Sequence, residues 1–415
     1  MQKYPHYKNS GVLWLGEMPQ HWKLTRLGTK FLERRTKVSD KDFPPLSVTK
    51  KGILPQIDSA AKSNDGDNRK LVKAGDFVIN SRSDRKGSSG ISDRDGSVSL
   101  INIVIEPKNI HPTYCNYLLK SYNFIEEFYR MGHGIVADLW TTRYDEMKAI
   151  LVGIPPLSEQ TAIATFLDRK TALIDQAIFL QEQQIRLLKE RRQLLIHKAV
   201  TQGLNPKVAL IDSGVEWIGQ IPQGWEVKKL KYVAELISRK VSSKGNKLKY
   251  IGMENIASWT GNYIETSTEV EGLASHFCEG DILFGKLRPY LAKVYLAQQQ
   301  GICSTELLVY RSGKAVFNGY LKLIMQSVEF IKRVDSSTYG SKMPRANADF
   351  IGNQLIAIPP MNEQKEISAY LDTFSAHLST AISLKTQEIA QLKIYKSVLI
   401  NSAVTGKINI GIEGL

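Results

Sequence analysis

The stretch from Ser158 to Val200 reads SEQTAIATFLDRKTALIDQAIFLQEQQIRLLKERRQLLIHKAV and decides the fold. It contains neither Gly nor Pro and is rich in residues that favour helices. Ser158 is a suitable N-cap behind two prolines, and Gly203 ends the pattern. A helix of this length extends about 65 Å, which is longer than a compact domain needs. We therefore predict a long spacer helix.

Apolar residues recur along this helix at alternating steps of four and three, the spacing of a coiled-coil seam. The same pattern returns 204 positions later, and the helix entrance IPPLSEQ at 154–160 returns as IPPMNEQ at 358–364. An ordinary core helix explains one amphipathic copy, but it does not explain two copies with matching polar interruptions. We predict that the two helices pair through the apolar seam residues Leu167, Ile174, Ile178, Ile185, Leu188, Leu195, Leu371, Leu378, Ile382, Ile389, Leu392 and Leu399.

The length and composition limit the class of protein. A chain of 415 residues is too long for one core, and the repeat divides it into two domains and two helices. The formal net charge of +14 favours a polyanionic partner, although charge alone is weak support. We find no apolar run of transmembrane length and no signal peptide, so we expect a cytoplasmic protein that does not contact membranes. Three distant cysteines indicate neither a disulfide framework nor a zinc site.

A second repeated segment opens each half of the chain. SGVLWLGEMPQHW at 10–22 returns as SGVEWIGQIPQGW at 213–225. The tryptophans Trp14, Trp22, Trp217 and Trp225 could stack on bases, but an indole fixed among Gly and Pro more often packs where the chain enters a domain. We favour packing for all four.

Between the opening segment and the long helix, both halves show mixed helical and strand patterns. The first half is expected to form strands at 77–80 and 98–105 and a helix at 114–130. The second is expected to form strands at 281–284, 292–296 and 307–310 and a helix at 320–334. Gly75-Asp76 and Gly280-Asp281 each lead a strand into a basic loop. The fold class is therefore α/β (α+β), with a duplicated scaffold and diverged loops.

Those loops carry the candidate DNA-binding residues. Arg on a flexible Gly/Ser loop can reach guanine edges with two hydrogen bonds, and Lys can neutralise phosphate. A solvated basic surface remains the alternative for any single residue, whereas the loops as a group favour DNA. Arg94 belongs to the same basic stretch of the first half. The predicted DNA-binding residues are Arg82, Arg85, Lys86, Lys286, Arg288, Tyr290, Lys342 and Arg345.

Three patterns imitate catalytic motifs. Residues 280–286 fit the start of a phosphate-binding loop, but Leu287 stands where Ser or Thr must hold magnesium. Asp138 with Glu146 and Lys148 resembles a nuclease cluster that occurs often by chance. The two Ile-Pro-Pro sequences are helix entrances and do not match a methyltransferase tetrapeptide. We therefore predict no catalytic residue, no metal ligand and no cofactor in this chain.

Two divergent domains, each opened by an SGVxWxGxxPxxW segment and closed by an IPPxxEQ helix, resemble the specificity subunit of type I restriction-modification systems. The resemblance spans essentially the whole chain. It implies two target recognition domains, each an α/β unit reading half of a split DNA sequence, held apart by antiparallel helices. It also implies two docked methyltransferase subunits, which bind S-adenosylmethionine, and restriction-translocase subunits that can join them. One departure is that the first half lacks a counterpart to Lys-Leu-Arg-Pro-Tyr at 286–290.

This organisation sets the predicted domain boundaries and target. Recognition domains are expected at 1–156 and 205–360, spacer helices at 157–204 and 361–408, and a tail at 409–415. A pseudo-two-fold frame presents two reading surfaces to half-sites about one helical turn apart on double-stranded DNA. Different loops predict different half-sites and hence an asymmetric target. A stand-alone DNA-modifying enzyme and a coiled-coil adaptor with incidental charge remain alternatives.

Overall fold

The computed structural model describes residues 2–56, 66–134, 140–266, 272–340 and 342–410. Contacts divide the chain into two compact units. The first comprises Met1–Gln181 and Gln387–Leu415, and the second comprises Glu182–Thr386. The boundary falls within both long helices, so each unit holds one globular domain and parts of both helices.

In its described residues, the first globular domain consists of short strands and three α-helices, followed by the first long helix. Its elements are β1 Tyr7–Asn9, β2 Glu17–Pro19, β3 Lys23–Arg26, β4 Phe31–Glu33, β5 Lys37–Val38, β6 Leu46–Thr49, β7 Gly52–Pro55, β8 Arg69–Val72, β9 Phe77–Asn80, β10 Ser89–Ile91, β11 Gly96–Val98, β12 Asn102–Pro107, α1 Pro112–Lys120, α2 Tyr122–Arg130, α3 Tyr144–Ala149, β13 Leu151–Ile154 and α4 Leu157–Gln202.

The second globular domain follows nearly the same order. Its elements are β14 Leu210–Asp212, β15 Gln220–Pro222, β16 Glu226–Lys229, β17 Ala234–Ile237, β18 Lys240–Ser242, β19 Tyr250–Ile251, β20 Leu273–Phe277, β21 Ile282–Gly285, β22 Val294–Leu296, β23 Gly301–Ser304, β24 Leu307–Ser312, α5 Asn318–Gln326, α6 Val328–Ser336, α7 Ala348–Gly352, β25 Leu355–Ile358 and α8 Met361–Val404.

The main sheets of the two units correspond strand by strand. The order β10-β9-β12-β4 in the first unit matches β22-β21-β24-β17 in the second. In both units the strand before the long helix pairs with an early strand, β13 with β3 and β25 with β16. The strand pairs within these sheets are antiparallel, which identifies the fold as α+β and confirms the predicted mixture of helices and strands.

Three predictions of single elements were wrong. Residues 98–105 do not form one strand, because a turn at 99–101 separates β11 from β12. The helices predicted at 114–130 and 320–334 are each broken by a serine in extended conformation, Ser121 and Ser327. The hydroxyl of each serine donates to the carbonyl three residues earlier, which ends the first helix.

The repeated tryptophans pack within the domains. Trp22 and Trp225 are buried, which confirms the packing interpretation. Trp14 packs edge-on against Phe124 with ring centroids 6.3 Å apart, and Trp217 packs against Phe330 at 6.2 Å. The indole Nε1 of Trp22 also donates to Glu159 at 3.0 Å, joining the opening segment to the first turn of α4.

A buried glutamine in the first turn of each long helix explains why IPPxxEQ recurs. Gln160 accepts from the main-chain N–H of His111 at 2.8 Å and donates to the Pro155 carbonyl at 2.9 Å. Gln364 accepts from the N–H of Phe317 at 2.7 Å and donates to the Pro359 carbonyl at 2.8 Å. The Gln thus ties the helix start to the segment that leads into α1 or α5.

Each domain also holds the end of the other long helix. The buried Tyr320 hydroxyl lies 3.0 Å from the carbonyl oxygen of Val200, near the end of α4. In the first unit, Tyr114 lies 3.4 Å from the carbonyl oxygen of Val404, at the end of α8. The start of one helix and the end of the other therefore meet on each domain, which requires the helices to run antiparallel.

Contacts within each unit agree with this pairing. Lys396 donates to Asp175 at 2.6 Å in the first unit, and Arg192 donates to Ser375 at 3.3 Å in the second. All twelve predicted seam residues are buried or half-buried in the helix segments. Apolar side chains on the outer faces, such as Leu187 and Leu194, are exposed.

Candidate nucleic-acid interface

In the second unit, two basic loops meet. The loop after β21 contains Lys286, Arg288 and Tyr290, and the loop before α7 contains Lys342 and Arg345. The main-chain N–H of Arg288 donates to the Pro344 carbonyl at 2.8 Å, and the N–H of Ala346 donates to the Lys286 carbonyl at 2.9 Å. The structure therefore brings all five predicted residues of this half together.

The side chains in these loops differ in how free they are. Arg288, Tyr290 and Lys342 are exposed, while Lys286 is half-buried. Arg345 donates to the Glu306 carboxylate at 3.1 Å, and that hydrogen bond raises the pKa of the guanidinium. Arg345 is thus held as part of the loop framework and is less available than Arg288 to a ligand.

Arg288 lies in an unusual backbone conformation. Its φ of 50° is in the left-handed region, and Ala292 has a φ of 47°. A side chain other than Gly costs about 1–2 kcal/mol in this conformation. The short 3-10 turn Pro289–Leu291 between them buries Pro289 and leaves Tyr290 exposed. Non-glycine residues held in this region cluster at functional sites.

The first unit has a matching pair of loops. The N–H of Ser83 donates to the Trp140 carbonyl at 3.0 Å, and the N–H of Thr142 donates to the Ser81 carbonyl at 3.0 Å. Arg82 and Arg85 are exposed on the loop after β9. This loop contains the 3-10 turn Ser83–Arg85, so the loop at 286–290 has a counterpart of the same topology with a different sequence.

Two predicted residues of the first unit carry ion pairs. Lys86 Nζ lies 2.6 Å from the Glu126 carboxylate, and Arg85 Nε lies 3.5 Å from Asp84. Arg94 does not belong with them, because β10 intervenes and Arg94 donates to Asp93 at 2.7 Å near the opposite end of β9. The prediction of one continuous basic loop including Arg94 was wrong.

Sequence reasoning missed Trp140 and Arg143. Both are exposed and lie on the loop that pairs with Arg82. The repeat offset of 204 could have indicated the loop that contains them, because subtracting 204 from Lys342 and Arg345 gives positions 138 and 141. Asp138, considered as a nuclease carboxylate, lies outside the described residues.

A buried aspartate fixes the base of the hairpin that carries the basic loop in each unit, β9–β10 in the first and β21–β22 in the second. Asp76 accepts from the Lys73 N–H at 2.8 Å and from Arg34 at 2.7 Å. Asp281 accepts from the Cys278 N–H at 2.8 Å and from Arg311 at 2.8 Å, which raises the pKa of Arg311. This explains why Gly-Asp leads β9 and β21. The arginine comes from a different strand position in each unit.

The described residues offer little for catalysis. Among them, no group of three or more His, Cys, Asp or Glu side chains could hold a metal ion. Residues 282–285 of the imitated phosphate loop form β21, and no α-helix follows directly. Burial raises the pKa of the Cys303 thiol to about 12.

In the part of the chain that is described, no helix has the length and apolar character to span a bilayer.

Comparison with known proteins agrees with the resemblance seen in the sequence. Residues 222–393 match the family model described as type I restriction modification DNA specificity domain. The chain is 26% identical over 404 residues to the type I restriction enzyme EcoDI specificity subunit of Escherichia coli, covering 89% of this chain and 86% of that protein. It is 25% identical over 277 residues to the MjaVIII specificity subunit of Methanocaldococcus jannaschii, covering 63% of each.

Two solved structures share the fold. One is a chain from a structure describing complex assembly and conformational transition of the type I R-M system, with a TM-score of 0.68 and 17% identity over 94% of this chain and 99% of that one. The other is the HsdS subunit from Thermoanaerobacter tengcongensis, with a TM-score of 0.53 and 17% identity over 94% and 98% of the two chains. At this identity the likeness shows the fold alone.

Proposed function

We propose that this chain is the DNA-reading, non-catalytic specificity subunit of a type I restriction-modification system, because residues 222–393 match the specificity-domain family model and the chain is 26% identical to a specificity subunit over 404 residues. It reads a bipartite target and positions methyltransferase subunits on it. The two units present paired loops at the same place on a duplicated fold, with different residues in each. This observation carries the proposal.

The side chains at the paired loops support DNA as the ligand. Arg82 and Arg85 with Trp140 in the first unit, and Arg288 with Tyr290 in the second, combine exposed cations with exposed aromatic rings. Arg supplies two parallel donors to guanine, whereas exposed Lys342 supplies charge to phosphate. Because the two sets differ, the two half-sites differ and the target is asymmetric.

The partners follow from the same assignment. Two methyltransferase subunits dock on the long helices and bind S-adenosylmethionine, and restriction-translocase subunits join them. The exposed apolar side chains of Leu187 and Leu194 in the second unit support docking on the helices. The cytoplasmic location expected from the sequence remains a prediction.

The test is to sequence modified bases in host genomic DNA with and without this chain. Loss of methylation at one asymmetric split sequence on deletion supports the proposal. An unchanged methylation pattern contradicts it and favours a coiled-coil adaptor. Methylation by the purified chain alone with S-adenosylmethionine would instead identify a stand-alone enzyme.

A further inference from the structure

A cleft of about 530 Å³ in the second unit lies between the edge strand β17, the end of β24 and the short helix α7. Its lining includes Ala234, Tyr310, Ser312, Ala348 and Asn353. The hydroxyls of Tyr310 and Ser312 are buried, and neither has a hydrogen-bond partner in the described part of the chain. The cleft has the size of a small-molecule site.

The topologically equivalent positions of the first unit carry aromatic residues. Phe31 faces Pro107 on the sheet edge as Ala234 faces Ser312 in the second unit. Tyr144 begins α3 as Ala348 begins α7. Two aromatic residues of one copy therefore correspond to two alanines in the other.

The ring of Tyr144 is oriented by one hydrogen bond. Its hydroxyl donates to the main-chain carbonyl of Phe31 at 3.0 Å, on the edge strand β4. The corresponding carbonyl in the second unit belongs to Ala234 on the edge strand β17. The second unit thus has the Ala234 carbonyl at the place of the Phe31 carbonyl, and it has Ala348 where the first unit has Tyr144.

We propose that this cleft binds a phenol ring, which lies where Tyr144 lies in the first unit and donates its hydroxyl to the Ala234 carbonyl. A phenol ring fits because the cleft has a volume of about 530 Å³ and Ala348 stands where the first unit has Tyr144. A free phenolic compound and a tyrosine side chain of a partner protein share this chemistry. The cleft lies at Ser312, whereas the reading loops adjoin the other end of β24 at Leu307. The site is therefore additional to DNA reading.

The test uses 4-fluorophenol and the full-length chain, followed by fluorine NMR of the probe. The wild-type chain is expected to broaden and shift the resonance, and 4-methylphenol is expected to reverse this, whereas cyclohexanol of similar size is not. Ala348→Tyr rebuilds the residue of the first unit and is expected to abolish binding. Absence of binding to the wild type, or unchanged binding to Ala348→Tyr, overturns the proposal.

Two further variants fill the cleft of the second unit or open the equivalent place in the first. Ala348→Phe fills the cleft without a hydroxyl and is also expected to abolish binding. Tyr144→Ala opens the equivalent place in the first unit and is expected to add a second site of the same kind. A single site in that variant would contradict the correspondence between Tyr144 and Ala348. Thermal unfolding of each variant identifies any that fail to fold.

Adding the methyltransferase subunit distinguishes the two sources of the ring. Displacement of 4-fluorophenol supports the proposal with a tyrosine side chain as the natural occupant. Unchanged binding supports it with a free compound. DNA binding by Ala348→Tyr is expected to match that of the wild type. Phenol binding therefore tests this proposal, and DNA binding separately tests the proposed DNA-reading function on which the rest depends.

Discussion

The indole Nε1 of Trp225 lies 3.0 Å from the carboxylate Oε2 of Glu363, joining the opening segment of the second domain to the first turn of α8. The equivalent Glu159 of the first unit accepts from Trp22, and also from Tyr4 at 2.5 Å and His21 at 2.8 Å. Among the described residues, the glutamate of this motif therefore has one side-chain donor in the second unit and three in the first.

Trp225→Phe is expected to destabilise the chain more than Trp22→Phe. A hydrogen bond to a charged group contributes about 1.5–3 kcal/mol, and the first variant leaves Glu363 without its indole donor. Glu159 keeps two other side-chain donors when Trp22 is changed. Urea unfolding monitored by circular dichroism measures the difference, and equal losses of unfolding free energy in the two variants would show that the extra donors contribute nothing.

Arg288→Ala is expected to weaken specific DNA binding more than non-specific binding. An arginine that contacts a base with two donors contributes about 1–3 kcal/mol of discrimination. Arg288→Lys should not restore it, because an ammonium cannot make the paired contact. Arg288→Gly is the control for the left-handed backbone, since Gly adopts a φ of 50° without strain. An unchanged ratio of specific to non-specific affinity would assign Arg288 to structure or to phosphate.

Trp140→Ala and Arg143→Ala are expected to relax recognition of one half-site only. Both side chains belong to the loop pair of the first unit, whereas Arg288 belongs to the second. Competition binding with DNA altered in one half-site at a time measures which half is affected. If Trp140→Ala and Arg288→Ala relax the same half-site, the assignment of one half-site to each unit is wrong.

A fragment of residues 1–203 is expected to dimerise. It loses the α8 residues that cover Leu167, Ile174 and Ile178, and an equivalent surface is available at the end of α4 in a second copy. In such a dimer, the carbonyl of Val200 replaces that of Val404 at the Tyr114 hydroxyl. The asymmetric target should then become a palindrome built from the first half-site.

Sedimentation of the fragment and mapping of modified sites after co-expression with the methyltransferase subunit test this expectation. A monomeric fragment with a folded long helix would contradict the pairing. A dimer that still directs modification to the original asymmetric sequence would contradict the assignment of half-sites.

His197 is expected to make stability depend on pH. Burial lowers its pKa in the folded chain, Glu329 opposes the shift and Lys332 adds to it. The unfolded chain therefore binds more protons than the folded one between the lowered pKa of the folded chain and about pH 6.5, and the free energy of unfolding falls as the pH decreases through this range. His197→Gln should lose less unfolding free energy than the wild type between about pH 7 and pH 5. Parallel curves for the two proteins would contradict this.

The helices and the duplication could be predicted from the sequence because both rest on long patterns. The seam of α4 and the offset of 204 extend over many turns, so single exceptions do not obscure them. The breaks at Ser121 and Ser327 could not be predicted in this way. Both serines fall within amphipathic patterns, and the break depends on a hydroxyl that bonds the carbonyl of Leu118 or Ile324.

The candidate site was predictable only in part. The basic residues stand out by composition, but loop pairing is a tertiary contact with no local pattern. Trp140 was missed because its loop has few charges and no strand or helix signal, and it contacts the Arg82 loop through main-chain atoms. The pairing of Arg345 with Glu306 was equally invisible, since the two are far apart in sequence.

The buried Asp76 and Asp281 allow the loops of the β9–β10 and β21–β22 hairpins to change in sequence while the base of each hairpin stays the same. Each carboxylate receives a guanidinium from outside its own hairpin, Arg34 in one unit and Arg311 in the other, so the base of the hairpin does not depend on the sequence at its tip. Changes to the exposed side chains of Arg82, Arg85 and Tyr290 therefore leave the contacts at the base of each hairpin intact. We expect new target sequences to arise through changes in these few positions, and we expect related chains to vary most in these proposed DNA-reading loops.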